Sequence, residues 1–194
     1  MTRCAASLSA GWLDGRRWTV RPHTLVPLRA EDAAALRVWR NAQTDVLRQQ
    51  RPLGEDDQRR WYHDVLLPAH AVENPTLLLV SMLLNGRFVA YGGLTNVDWD
   101  SRRAEVSFLA DPDRAADPET YAADFTTFLR WLAGLAFNEL GLHRLFAETY
   151  AFRTAHIALL ESCGFRREGL LRDHVVKRGR HVDSVLHGLL EGAG

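Results

Sequence analysis

Glu148 to Glu161 reads ETYAFRTAHIALLE, and the chain then runs through Ser162-Cys163-Gly164-Phe165 into Arg167 to Leu190, REGLLRDHVVKRGRHVDSVLHGLL. A strand is predicted over Arg144 to Tyr150 and a helix from about Thr154 to Ser162. Gly164 can take the left-handed conformation that ends such a helix. Two further strands, near Leu170 to Lys177 and His181 to Leu189, close through the turn at Arg178-Gly179.

Upstream, the apolar run TLLLVSMLL (residues 76–84) meets Asn85-Gly86, a strong hairpin signal, and returns as RFVAYGGLT. A third strand follows at Arg103 to Ala110, with Glu105, Ser107 and Leu109 on one face and Ala104, Val106 and Phe108 on the other. Asp117-Pro118 opens a helix as N-cap and first-turn proline; Tyr121, Phe125, Phe128, Leu129, Leu132 and Ala136 form its apolar stripe. Nearer the start, Trp18 to Leu28 reads as one strand. Glu31-Asp32 opens a helix burying Ala35, Val38, Trp39, Ala42 and Val46. A second helix runs from near Glu55 to Pro68 and buries Trp61, Val65 and Leu66. Residues 1–17 read as a tail or short hairpin, and 18–194 as one domain. The order β, α, α, β, β, β, α, β, α, β, β predicts an α/β (α+β) domain.

The chain has 194 residues, of which 46% are hydrophobic and 25% charged, enough for one well-buried core. Its net charge of zero argues against a nucleic-acid partner, and no apolar run approaches a membrane span. Lys177 is the one lysine among 24 basic residues. Cys4 and Cys163 lie far apart and outside any metal-spaced cluster, which predicts a reducing, cytoplasmic setting.

Four segments carry a resemblance: Pro27 to Asn41 (PLRAEDAAALRVWRN), Leu142 to Thr149 (LHRLFAET), Cys163 to Val175 (CGFRREGLLRDHV) and Gly179 to Leu190 (GRHVDSVLHGLL). Together with the element order they resemble the GNAT N-acetyltransferase superfamily, in particular the branches acting on nucleotide-linked aminosugars and on ribosomal-protein N-termini. The resemblance implies a central mixed sheet of about seven strands with helices on both faces. It also implies that Arg103 to Ala110 and Arg144 to Tyr150 run parallel and splay, so that freed backbone groups hold the pantetheine arm of acetyl-CoA. The pyrophosphate would lie at the next helix start, where the family usually has a glycine-rich loop. Here Ala110 to Glu119 reads ADPDRAADPE, without glycine, and Asp117 as N-cap would engage the N–H groups that a phosphate needs. The tyrosine with which many members protonate the departing thiolate falls at Leu160, which cannot donate.

The same resemblance suggests Glu105 as general base, with Glu148 a weaker rival, against the plainer reading of a solvated strand carboxylate. The backbone of Phe108, Leu109 and Ala110 would hold the thioester carbonyl, and Arg114, Arg153 and His156 would contact the donor. Arg40 and Asn41 on the first helix would border the acceptor, together with a His174–Asp183 pair on the last hairpin. His181 and His187 share that face by the period of two, but no spacing demands a metal. The expected reaction moves an acetyl group from acetyl-CoA to a primary amine of a small molecule such as a nucleotide-linked aminosugar; a homodimer is compatible. Alternatives are a donor presented by a carrier protein or aminoacyl-tRNA, and a non-catalytic binding module.

Overall fold

The segment expected as one strand over Trp18 to Leu28 is two. β1 (Trp18–Val20) and β2 (His23–Pro27) form a hairpin that turns at Arg21-Pro22, because proline gives no N–H to a ladder and fixes φ. The sheet therefore has eight strands rather than about seven. The structure, a computed structural model, describes residues 8–192. Cys4 and the first seven residues of the expected tail lie outside the described residues. Leu8 and Leu13 are buried, so residues 8–17 pack onto the domain without forming a hairpin of strands.

After a 3-10 turn, α1 (Ala33–Ala42) buries Leu36 and Trp39. Val38 is exposed, and Val46 lies beyond the helix end in the loop 43–54, so the apolar stripe is narrower than expected. α2 (Glu55–Arg60) continues through a π-helical segment (Trp61–Leu66) into α3 (Leu67–His70). Pro68 does not end the helix. It sits in the first turn after the π segment, where the hydrogen-bond register changes and a missing N–H costs least. Leu66 is buried, Trp61 is half-buried, and Val65 faces solvent.

β3 (Leu78–Leu84), β4 (Arg87–Asp98) and β5 (Arg103–Ala110) form the meander. A short helix, α4 (Pro112–Ala116), and the 17-residue α5 (Pro118–Gly134) follow. β6 (Arg144–Tyr150), α6 (Thr154–Ser162), β7 (Arg166–Lys177) and β8 (Arg180–Leu190) complete the chain. Gly164 has φ +91° and closes α6.

The sheet order is β1-β2-β3-β4-β5-β6-β8-β7, and β5 with β6 is its parallel pair. β3 is apolar except for Ser81, whose buried hydroxyl donates to Asp32 at 2.6 Å, because both faces are covered. Leu78, Val80 and Met82 join the core under α5, whereas Leu79 and Leu83 join the core under α1. Gly92 lies between these layers where a Cβ would come 2.2 Å from the Ser107 carbonyl, so β4 meets β5 closely at the level where the cleft begins. Among the described residues, no helix is long and apolar enough to cross a membrane.

Candidate active site

β5 and β6 pair through only three residues, Arg103 to Glu105 against Arg144 to Phe146, and then part. From Val106 to Ala110 the edge of β5 that faces β6 has no strand partner, which frees backbone groups there, although the Ala110 carbonyl accepts from the Gln43 amide at 2.9 Å. A groove of about 710 Å³ occupies the gap. One wall is Phe108, Leu109 and Ala110; the other is the start of α6, including Arg153 and His156. Of the residues expected to contact the donor, all but Arg114 line this groove. A second pocket of about 330 Å³ adjoins the groove and shares Val46, Leu47, Phe108, Arg153 and His156 with it. It holds Glu105 and Glu148.

Arg114 points elsewhere. Its guanidinium makes two hydrogen bonds, of 2.6 and 2.9 Å, to the carboxylate of Asp124 on α5. Asp124 is 1% exposed and also lies 3.0 Å from the buried His23. A carboxylate at that depth needs a counter-ion, and this demand draws Arg114 away from the groove. The helix starts are occupied as well. Asp111 accepts from the Asp113 N–H at 3.0 Å, and Asp117 accepts from the Glu119 N–H at 3.1 Å and from the Thr120 hydroxyl at 2.9 Å. The N-terminal donors that would bind phosphate are therefore capped by the chain's own aspartates.

Glu105 is 6% exposed and is not the solvated strand carboxylate of the plainer reading. Arg48 grips it bidentately at 2.5 and 3.2 Å, and the Asn96 amide donates to it at 2.6 Å. Asn96 sits at a β4 irregularity with φ +50°, a conformation asparagine tolerates, which aims its side chain along the strand pair. The same Arg48 reaches Glu148 at 3.1 Å. These hydrogen bonds, led by the one to Glu105, raise the Arg48 pKa above its ordinary value. Sequence reasoning missed Arg48, which lies in a loop without periodicity.

The other substrate-side expectations separate. Arg40 borders the pocket and donates to the Tyr91 hydroxyl at 2.7 Å and to Gln49 at 3.2 Å. Asn41 instead braces the loop 43–54: it donates to the Leu53 carbonyl at 3.0 Å and accepts from the Leu53 N–H at 2.8 Å. The expected His174–Asp183 pair is not formed. β7 shifts register between Leu171 and Val175, where Asp173 has φ +50°, and Asp183 accepts from the Asp173 N–H at 2.8 Å. His174 lies 3.6 Å from Glu148, so Glu148 meets the hairpin through a histidine and not an arginine. His187 is fully buried facing Glu161 at 3.4 Å, apart from the exposed His181.

Leu160 is fully buried. A different hydroxyl stands in the groove: Tyr121 on α5 lies 2.9 Å from His156 Nδ1 and accepts from Arg153 at 3.2 Å. Burial pushes the His156 pKa down to about 3, with Arg153 and His187 adding to the effect, so the ring is neutral at pH 7. Its Nδ1 can then accept from the tyrosine while Nε2 carries a proton. Burial raises the Tyr121 pKa, and Arg153 opposes that rise. The helical stripe had marked Tyr121 as core, and its contact with a residue 35 positions later has no local signature.

The family model described as "Acetyltransferase (GNAT) domain" matches residues 25–186. A relative from Bacillus licheniformis, the "Uncharacterized N-acetyltransferase p20", is 31% identical over 99 residues, covering 51% of this chain and 53% of the relative. The chain thus spans about half the length of the curated relative it matches. Among solved structures, the spermidine N-acetyltransferase from Vibrio cholerae in complex with CoA and spermine superposes with TM-score 0.76 at 18% identity, over 87% of this chain and 95% of that one. A protein described as a probable acetyltransferase superposes with TM-score 0.70 at 23% identity, over 91% and 97%. At these identities the structural likeness establishes the fold.

Proposed function

Since the chain belongs to the GNAT acetyltransferase family, we propose that it transfers an acetyl group from acetyl-CoA to a primary amine of a small molecule. The observation that carries this reading is the parting of β5 and β6 after Glu105, with the groove and an adjoining carboxylate-bearing pocket at the gap. The thioester would enter along the free edge of β5, its carbonyl oxygen held by backbone N–H groups of Phe108 to Ala110. Glu105 takes a proton from the acceptor's ammonium group. The neutral nitrogen attacks the thioester carbon, the C–N bond forms, the C–S bond breaks, and the nitrogen releases its second proton to water. The sulfur leaves as a thiolate and must be protonated. The Tyr121–His156 pair, at the seam of the two cavities, is our candidate source of that proton, in place of the hydroxyl that Leu160 lacks. Tyr121→Phe is expected to lower kcat about 100-fold, the low end of general acid catalysis. The loss should grow with donors whose thiol is more basic; equal loss for every donor would sink this role.

Glu105 and Glu148 favour a cationic acceptor. A nucleotide-linked aminosugar would bring phosphates, and Arg40, the residue expected to meet them, is already engaged by Tyr91 and Gln49. We therefore place the aminosugar reading second to a cationic amine.

The capped helix starts support a second reading of the donor, pantetheine on a carrier protein, because that arm lacks the adenosine pyrophosphate. Calorimetric titration with acetyl-CoA separates the two. Saturable micromolar binding supports acetyl-CoA; no binding, alongside transfer from S-acetylpantetheine, supports the carrier. If acetyl-CoA is the donor, Arg153 is the cation left for its phosphates. Arg153→Ala should then weaken acetyl-CoA about tenfold, the weight of one charged hydrogen bond, and leave S-acetylpantetheine unaffected.

A further inference from the structure

We propose that Glu105 and Glu148 form the seat of the acceptor's ammonium group, and that Arg48 fills this seat in the resting protein as an internal competitor. The inference rests on the amine-acyltransferase reading and names how that site is guarded. Glu105 and Glu148 project from adjacent strands into the same pocket, and their side chains are only 8% and 15% exposed. Two carboxylates held so close and so far from water require a cation. The sheet offers His174 of β7 to Glu148 alone, at 3.6 Å, and not the cation that spans both. That cation comes from the loop 43–54, on a side chain that is itself 58% exposed, so the partner is one that can leave.

The loop is fastened for such a role. Lys177, at the tip of the β7–β8 hairpin, donates to the carbonyls of Thr44 at 3.1 Å, Gln49 at 3.4 Å and Leu47. Arg178 pairs with Asp45 at 2.9 Å, and the Tyr150 hydroxyl donates to Leu47 at 3.3 Å. These polar contacts attach the strap to the hairpin tip and to the end of β6, while Leu47 rests partly buried against the core under α1. Asn41 holds its far end at Leu53.

Arg48 touches three carboxylate oxygens, both of Glu105 and one of Glu148. An alkylammonium carries three N–H donors and can satisfy the same three oxygens once the guanidinium swings out. Displacement exchanges cation for cation, so a neutral amide or alcohol cannot drive it. The seat thereby selects for charge, and the apparent affinity for any acceptor is reduced by the fraction of molecules in which Arg48 is seated. It also withholds the Glu105 lone pairs from solvent until an acceptor arrives.

The test is calorimetric titration of the donor-free protein with methylguanidinium and with 1,4-diaminobutane. Arg48→Ala and Arg48→Gln should each bind both probes at least about tenfold more tightly than the unaltered protein, the gain expected when a seat at least nine-tenths occupied is vacated. Adding Glu148→Gln and Glu105→Gln to Arg48→Ala should abolish the gain. Lys177→Met, which frees the strap and leaves the seat untouched, should tighten both probes severalfold; thermal unfolding checks that each variant folds. Equal or weaker binding to both Arg48 variants, or a gain that survives loss of the carboxylates, overturns the proposal. Acetyl transfer by the unaltered protein without the binding gain would sink the seat and leave the acyltransferase reading. The gain without transfer to any amine would keep the seat and sink that reading.

Discussion

Glu105→Gln is expected to cut acetyl transfer by about 10²–10⁴-fold, the range for a positioned general base, while acetyl-CoA affinity changes little. Glutamine keeps the volume and can still accept from Asn96, which donates to Glu105 at 2.6 Å, so the strand pair should stay intact. The loss should appear in kcat. It should also shrink as pH is raised and the free amine begins to outnumber its protonated form. Glu148→Gln tests the rival assignment, for Glu148 shares Arg48 but lies on β6, across the gap from the edge of β5 that would hold the carbonyl. If Glu148→Gln carries the larger kcat loss and Glu105→Gln only raises the amine KM, the base is Glu148. Unchanged kinetics in both would place the proton acceptor elsewhere.

The difference between what could be read in the sequence and what could not follows from the range of the forces involved. β5, β6 and α6 begin and end at the expected residues because their signals are local: alternation along β5, the apolar run before Tyr150, a glycine that ends α6. Glu105 could be placed on its face by the period of two alone. Arg114 could not, because its direction depends on Asp124, one helix later and buried beside His23. The His174–Asp183 pairing failed for a related reason: a single residue at φ +50° shifts the register of β7, and no periodicity reveals it. Arg48 was hidden most completely. It lies in an aperiodic loop, and both of its partners come from strands more than 50 positions away. The acidic, glycine-free loop from Ala110 to Glu119 was legible, and so was the capping by Asp117 that follows from it.

Acidification should destabilise this protein before its carboxylates begin to titrate. Burial pushes His70 down to about 4 and His156 down to about 3, from an ordinary value of 6.5. For each, the unfolded chain binds a proton below pH 6.5 that the folded chain refuses, so the unfolded state holds more protons and stability falls as pH falls. The contribution is fully present above 6.5 and is lost as pH drops toward the folded value. At about 1.4 kcal/mol per pH unit and group, the two histidines together cost on the order of 5 kcal/mol by pH 4.5, against a typical total of about 5–15 kcal/mol. The carboxylates with depressed pKa values, Asp98, Asp117 and Glu168 among them, enter later, because their ordinary values lie at 3.8 to 4.5 and the loss begins only below these. Urea unfolding at pH 7 and pH 4.5 should show the drop, and His70→Gln should reduce its slope by about one proton equivalent; a flat midpoint across that interval would refute the argument. Of the two histidines, His156 links stability to chemistry. It packs against Tyr121 and Phe125 beside the Arg153 guanidinium, so a proton on its ring would sit next to a positive charge and turn its Nδ1 from acceptor to donor. The Tyr121 hydrogen bond would then lose its direction. Because the folded ring takes that proton only near pH 3, the stability loss comes first: the His156 contribution to acetyl transfer should be lost together with the fold, and activity should not fall through this group at a pH above the unfolding midpoint.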